Sequence, residues 1–186
     1  MQNIHRHYLA LLLLLFLSAT AYAEDYLTTH IVEISPGIGY YNFDDERNLD
    51  DAAMAVIGLG LHLSRHWAVL LQYAVLDTTS SVNGVSQAVY MRKYHIDVHR
   101  FFNTEKKLRP YLVAGFGQMD LDDNQGDFKD AINKNMFNGG VGLYYRMTPS
   151  WSVRTDVRIF VRTNNDYHDN AVTFTLGYRF NGGERK

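Results

Sequence analysis

Charged and imidazole side chains recur at every second position in two segments of the chain, and this spacing limits the chemistry they can perform. They are Lys93, His95, Asp97 and His99 in the first segment and Arg154, Asp156 and Arg158 in the second. Residues at i, i+2 and i+4 of a β-strand face the same side, about 7 Å apart in succession, which is a poor spacing for chelating a metal ion. We therefore predict no metal, cofactor or catalytic site here. We expect these charges to pair with one another, because unpaired buried charge is costly.

The segments that carry these residues are predicted to be strands. The clearest example is Ala171–Phe180, in which apolar and polar or small residues alternate without a break. The same alternation predicts eight strands, at about Ile31–Asn42, Ala53–Leu63, Trp67–Leu76, Gln87–Phe101, Arg109–Met119, Asn135–Arg146, Trp151–Arg162 and Ala171–Phe180. Short and long connections alternate between them, with loops at Phe43–Asp51, Asp77–Ser86, Asp120–Asn133 and Thr163–Asn170. The fold class is all-β, an eight-stranded antiparallel up-and-down barrel. The facing of the fifth strand stays open, because both of its faces carry apolar residues.

The ends of the chain are predicted to lie outside the barrel. A basic residue, a short apolar run and an Ala21-Tyr22-Ala23 end describe a secretory signal peptide at residues 1–23, which places the barrel at residues 24–180 and a short tail at 181–186. The chain has no cysteine and a formal net charge of −2. It therefore has no basic excess of the kind that indicates a nucleic-acid partner.

Alternation alone does not say which face of each strand points into the barrel. Four observations favour a transmembrane barrel with its apolar face outward: glycines on the polar faces, aromatic residues at strand ends, alternating loop lengths, and the signal peptide. The predicted interfacial aromatic girdle is Trp67, Trp151, Tyr178 and Phe180, with Tyr40, Tyr94 and Phe137 as candidates for a second girdle. The predicted barrel-interior polar network is Glu33, Lys93, His95, Asp97, Arg154, Asp156, Arg158 and Arg179. The alternative is a soluble lipocalin-type binding barrel, which has the opposite facing.

Several short segments together resemble the barrel domain of OmpA-like outer-membrane proteins. They are Gly115-Phe-Gly117 after Arg109-Pro110-Tyr111, a Gly-x-Gly-Leu before each tryptophan turn, and the final Leu-Gly-Tyr-Arg-Phe. The resemblance implies an outer-membrane location, contact with outer-membrane lipid, and recognition of the last strand by the barrel-assembly machinery. The sequence departs from the family pattern in two ways. Asn181–Lys186 follow Phe180, and we expect no peptidoglycan-binding domain.

These observations favour a non-enzymatic integral outer-membrane barrel with a structural or surface-interaction role, in which the outer loops contact an unknown extracellular ligand. Two other functions are considered. The interior charges could line a narrow or gated small-solute channel instead of a packed plug. An outer-leaflet lipid-modifying enzyme would need a serine–histidine pair, and the scattered candidates Ser80, Ser81, Ser86, His66 and His168 show no spacing that supports one. Asp120–Asp130 lacks the glycine and glutamate of a calcium loop, so we expect a solvated loop.

Overall fold

Eight antiparallel strands close into a barrel in which each strand pairs with its neighbours in the chain and the last pairs with the first. The computed structural model describes residues 31–82, 85–123, 134–162 and 168–180. The strands are β1 (Ile31–Asn42), β2 (Ala52–His62), β3 (Trp67–Val82), β4 (Val85–Phe101), β5 (Leu108–Asp123), β6 (Lys134–Arg146), β7 (Trp151–Arg162) and β8 (His168–Phe180). Within these ranges no helix is long and apolar enough to cross a membrane.

The alternation of the sequence becomes an alternation of burial. In β8 every second residue is buried, while Val172 and Phe174 on the other face are 46% and 52% exposed. The predicted all-β barrel and its number of strands are therefore confirmed, and the apolar faces point outward. A soluble lipocalin-type barrel requires the opposite facing, so that alternative is wrong. The structure also settles the fifth strand: Tyr111 and Val113 face the interior, and Leu112 faces outward.

The hairpin of β3 and β4 is longer than predicted. Residues expected to form the loop Asp77–Ser86 instead continue the ladder up to the pair Val82–Val85. Threonine is a good strand former and its cross-strand pairs add stability, so the serine- and threonine-rich run extends the strands. The start of the next predicted loop, Asp120–Asn133, likewise belongs to β5, which ends at Asp123. Residues 124–133 lie outside the described part of the chain.

The seam between β1 and β8 contains a gap. Its register is continuous from Val32 to Ile34 and again from Gly37 to Asn42, but Ser35 and Pro36 have no partner on β8. Proline has no N–H group to donate to a ladder, so it interrupts strand pairing on one side. On the other side the pairing of β1 with β2 is continuous.

The interior is layered rather than uniformly polar. An apolar cluster fills the end of the barrel that carries the long connections, which we call the outer end, and includes Met54, Met91, Met119 and Met136. The three short turns, at residues 63–66, 102–107 and 147–150, lie at the other end, which we call the turn end. A smaller cluster, which includes Leu70, Phe101 and Tyr144, packs there. The expected polar plug lies on the turn side of the outer-end cluster and is interleaved with the smaller cluster, whose Tyr144 and Tyr111 donate to Glu33 and Asp156.

Candidate functional site in the barrel interior and at its outer mouth

The eight residues predicted for the interior polar network are all buried. None has more than 7% of its surface exposed. The structure divides them into two ionic centres and two separate cations. The members are Asp97, His95, Asp156 and Arg158 in the first centre, Glu33 and Arg154 in the second, and Lys93 and Arg179 apart from both.

The first centre is built around Arg158, which bridges two carboxylates from different strands. Its Nη1 donates to Asp97 Oδ2 at 2.5 Å and its Nε donates to Asp156 Oδ1 at 2.6 Å. Asp156 also accepts hydrogen bonds from the Tyr111 hydroxyl at 2.6 Å and the Thr173 hydroxyl at 2.8 Å. The guanidinium geometry suits this double pairing, since its planar fork presents several donors at fixed angles.

Asp97 has two further hydrogen-bond partners, of which His95 belongs to the predicted network and Asn138 does not. His95 Nδ1 lies 2.8 Å from Asp97 Oδ1, and Asn138 Nδ2 donates to the same oxygen at 3.0 Å. Gly115 makes room for this contact, because a Cβ atom there would lie 2.6 Å from Asn138 Nδ2 and closer still to Asp97. The glycine on the polar face therefore leaves the space that the carboxylate occupies.

The second centre lies nearer the turn end and surrounds Glu33. Its carboxylate accepts hydrogen bonds from Ser152 at 3.0 Å and Tyr144 at 3.2 Å, and pairs with Arg154 Nη1 at 3.5 Å. His62 Nε2 lies 3.4 Å from the same carboxylate. A buried carboxylate with this many partners is satisfied, which is what a structural role requires.

Lys93 and Arg179 are held without a carboxylate within ion-pair distance among the described residues. The Lys93 ammonium lies 4.3 Å from the ring centroid of Tyr41 and 3.8 Å from that of Phe160, so two aromatic faces hold the cation. Arg179 donates to the Thr148 carbonyl at 3.0 Å, at the last short turn. Sequence reasoning missed the aromatic partners, although Phe160 stands on the polar face of β7, where an aromatic residue breaks the pattern.

Little free space remains around Lys93 and Arg158 in the described interior. The cavity beside Met54, Lys93 and Arg158 has a volume of about 10 Å³. That is the space of one water molecule at most. On the turn side of the ionic centres His99 stacks on Tyr111 with ring centroids 4.8 Å apart. Side chains thus fill the described interior around the first ionic centre.

The connection between β1 and β2 folds over the outer mouth and contacts β8. Asp169 on β8 accepts from Arg47 Nη1 at 2.6 Å, from the Tyr41 hydroxyl at 2.9 Å and from the Asp44 backbone N–H at 3.0 Å. Asp44 accepts in turn from the His168 backbone N–H at 2.9 Å, and this bond holds the pKa of Asp44 below its ordinary value. A 3₁₀ turn at Asp45–Arg47 shapes the loop.

The same connection also reaches β3, two strands away from β1. The Asp50 backbone N–H donates to the Thr79 carbonyl at 2.9 Å, and the Thr78 hydroxyl donates to the Asp50 carbonyl. Leu49 forms an isolated bridge with Ser80. Because it is attached at both sides, this loop is an ordered part of the barrel.

Ser80 and His66, two of the residues considered for catalysis, lie at opposite ends of the barrel. Ser80 is buried and its hydroxyl has no partner, whereas His66 lies in a short turn at the opposite end. The side chain of Ser81 lies outside the described residues. In the described part of the chain no cluster of three or more histidine and acidic side chains could hold a metal ion.

The predicted girdle residues lie on the outward face at the turn end. Trp151 and Tyr178 have ring centroids 5.0 Å apart, and Tyr178 and Phe180 have theirs 5.1 Å apart. Trp67 is half-buried at the start of β3. Aromatic residues at strand ends above an apolar band are typical of a barrel that crosses a bilayer.

Residues 9–180 match the family model for the outer membrane protein beta-barrel domain. The chain belongs to this outer-membrane barrel family. Membership of this family implies an outer-membrane location. No curated protein matches the sequence.

Solved structures with the same fold are distant in sequence. Neisserial surface protein A is 10% identical with a TM-score of 0.66, and the match covers 80% of this chain and 97% of that one. OprG from Pseudomonas aeruginosa is 11% identical with a TM-score of 0.61, over 82% of this chain and 96% of that one. Ail, the attachment invasion locus protein of Yersinia pestis, is 16% identical with a TM-score of 0.56, over 82% of this chain and 100% of that one. At these identities the likeness is one of fold.

Proposed function

We propose that this protein is a non-enzymatic surface-contact protein: a rigid outer-membrane barrel that presents its outer end to a partner outside the cell. The observation that carries the proposal is the contrast between the two parts of the molecule. The described interior is filled by two ionic centres and two apolar clusters, and the cavity beside Lys93 has room for one water molecule at most. The outer end, by comparison, has an ordered loop and a long hairpin that extend beyond what a membrane span needs.

The length of the hairpin supports this reading. A transmembrane strand needs about 9–11 residues, whereas β3 and β4 have 16 and 17. The pairs from Asp77–Tyr90 to Val82–Val85 lie beyond the last pair of β3 with β2, which is Met54–Leu76. β4 still pairs with β5 as far as Val89–Asp123, so the two-stranded ribbon extends past both neighbouring strands from the pair Thr79–Ala88 to Val82–Val85. Leu49 bridges to Ser80 near its base.

The described outer end is acidic, which indicates the kind of partner that it fits. Its exposed acidic side chains are Asp45, Glu46, Asp50, Asp51 and Asp77. They outnumber the exposed cation Arg92, and Arg47 is paired with Asp169. Charge complementarity favours a basic partner and speeds its approach. A structure of Ail holds the heparin analogue sucrose octasulfate. A polyanion of that kind does not suit the acidic surface described here.

Site-specific labelling tests the surface placement, because the chain has no native cysteine. A membrane-impermeant maleimide should label Asp45→Cys in intact cells. The matched control Lys106→Cys, in a short turn at the other end, should react only after the outer membrane is permeabilised. Labelling of Lys106→Cys in intact cells, with protection of Asp45→Cys, would show the reverse orientation and refute the proposal.

A binding measurement and a conductance measurement then distinguish surface contact from transport. The purified barrel in nanodiscs should bind polylysine and not heparin. The triple change Asp45→Asn, Glu46→Gln and Asp50→Asn should weaken polylysine binding. In planar bilayers the wild-type protein should show no stable conductance. Steady single-channel openings would favour the small-solute channel instead.

A further inference from the structure

An arginine lies on the lipid-facing side of the barrel at the turn end. Arg100 is on the outward face of β4, where it pairs with Trp67 on β3 and Leu112 on β5. Its guanidinium carbon lies 4.9 Å from the ring centroid of Trp67 and 5.7 Å from that of Phe102. Two aromatic rings therefore hold this cation within the girdle, next to an outward leucine.

The charge of Arg100 has no counter-charge in the described structure. Among the side chains that the structure describes, no carboxylate lies within ion-pair distance of it. Glu105 is the single acidic residue in the described short turns, and its carboxylate pairs with Arg65 at 3.3 Å. Stacking on a ring leaves the N–H donors at the edge of a guanidinium free for another acceptor.

The surroundings of Arg100 are basic. Phe101 donates its backbone N–H to the His66 carbonyl at 2.8 Å, which places the first two short turns side by side. Burial lowers the pKa of His66, and the charge of Arg100 lowers it further, so His66 is neutral at pH 7. The other basic residues of this end of the barrel are Arg65, Lys106, Lys107, Arg109, Arg146 and Arg179. Their summed field attracts anions to the rim.

We propose that Arg100, supported by Trp67 and Phe102, binds the phosphate of an anionic phospholipid in the leaflet at the turn end. The depth of the site favours a lipid: the girdle lies at the level of the headgroups, and a long basic side chain near a strand end extends its charge toward them. The basic field favours a lipid with net negative charge over a zwitterionic one. This proposal does not depend on what the outer loops contact.

The two tryptophans allow a test with an internal control. In a Trp151→Phe protein reconstituted in phosphatidylcholine vesicles, Trp67 is the single tryptophan reporter. We compare the quenching of Trp67 fluorescence by phosphatidylglycerol and by phosphatidylcholine, each with brominated acyl chains. The quenching should correspond to a local enrichment of phosphatidylglycerol of about fivefold. One basic residue near an anionic membrane surface has an effect of about that size. In the reciprocal Trp67→Phe protein, Trp151 packs against Tyr178 and should report no such preference.

Variants on one strand complete the test. Arg100→Gln should abolish the preference at Trp67. Arg92→Gln should keep it, since Arg92 is an exposed arginine of β4 farther toward the outer end. Equal quenching of Trp67 by the two lipids, survival of the preference in Arg100→Gln, or an equal preference at Trp151 would each overturn the proposal. If Arg100→Gln does not fold, the comparison of Trp67 with Trp151 still tests the proposal.

Discussion

Replacing Arg158 by methionine is expected to destabilise the barrel more than the same replacement of Lys93. Both are buried cations of the interior, and both substitutions put an unbranched apolar chain in place of a charged one. They differ in their partners, because Arg158 bridges Asp97 and Asp156 at 2.5 Å and 2.6 Å, whereas Lys93 lies over two aromatic rings.

The expected magnitudes follow from these contacts. Two unit charges about 4 Å apart attract by about 4 kcal/mol at an effective dielectric constant of about 20. In the folded protein, desolvation of the charges offsets most of that attraction. Removing Arg158 leaves two buried carboxylates without their cation, and breaking a buried pair in this way costs about 3–5 kcal/mol. Lys93→Met forfeits a cation–π contact of about 2 kcal/mol but also removes the desolvation cost of the ammonium, so its net effect should stay below about 1.5 kcal/mol.

The assay is urea-induced unfolding in phospholipid vesicles, followed by tryptophan fluorescence and by the gel shift between folded and unfolded protein. A triple variant, Asp97→Asn, Asp156→Asn and Arg158→Met, serves as the control, since it removes the stranded carboxylates together with the cation. It should recover part of the stability that Arg158→Met loses. If Lys93→Met costs as much as Arg158→Met, or if the triple variant is no more stable than the single one, charge pairing does not explain the stability of this layer.

Three further predictions concern the lipid face, the last strand and the outer loop. Val157→Arg should lower the free energy of unfolding by about 2–4 kcal/mol, because Val157 is 51% exposed on the outward face and an arginine near the bilayer midplane is unfavourable by that amount. An unchanged free energy of unfolding in the same urea assay would contradict the outward facing of Val157. Phe180→Ala should lower the yield of folded protein in the outer membrane more than an alanine change in a loop, measured by heat-modifiable migration, and equal yields would contradict this. Because the pKa of Asp44 is lower in the folded protein, the stability from its bond to His168 is present above its ordinary pKa and is lost as the pH falls through the folded value. The protection factor of the His168 amide, which is the exchange rate corrected for intrinsic exchange at each pH, should therefore fall below about pH 4, and Asp44→Asn should remove this pH dependence.

Much of the fold could be predicted from local pattern, because strand alternation is a property of neighbouring residues. The bounds of β1 and β7 agree with their predicted ranges. The ends of β3 and β5 do not, since a polar run in a loop and a polar run in a protruding hairpin look alike in sequence. Cross-strand pairing decides between them, and the sequence does not display it.

The partners within the interior could not be predicted. Along β7 alone, Asp156 stands between Arg154 and Arg158 and would be expected to pair with both. In the structure Arg154 instead pairs with Glu33, across 121 residues of chain. Such contacts depend on the register and closure of the whole barrel. The aromatic cage of Lys93 has the same origin, because Tyr41 and Phe160 come from β1 and β7.

The interrupted seam between β1 and β8 bears on how the barrel forms. Its pairs join residues such as Val32 and Phe180, which makes them the contacts with the longest loop to close. Loop closure costs entropy before any hydrogen bond compensates for it. Pro36 removes pairing from this same seam, so closure should be the slowest step of assembly and the seam the first place where a strained barrel reopens. Until β8 pairs with β1, the edge of β1 is unpaired, and it can pair with a strand of another chain until the barrel closes.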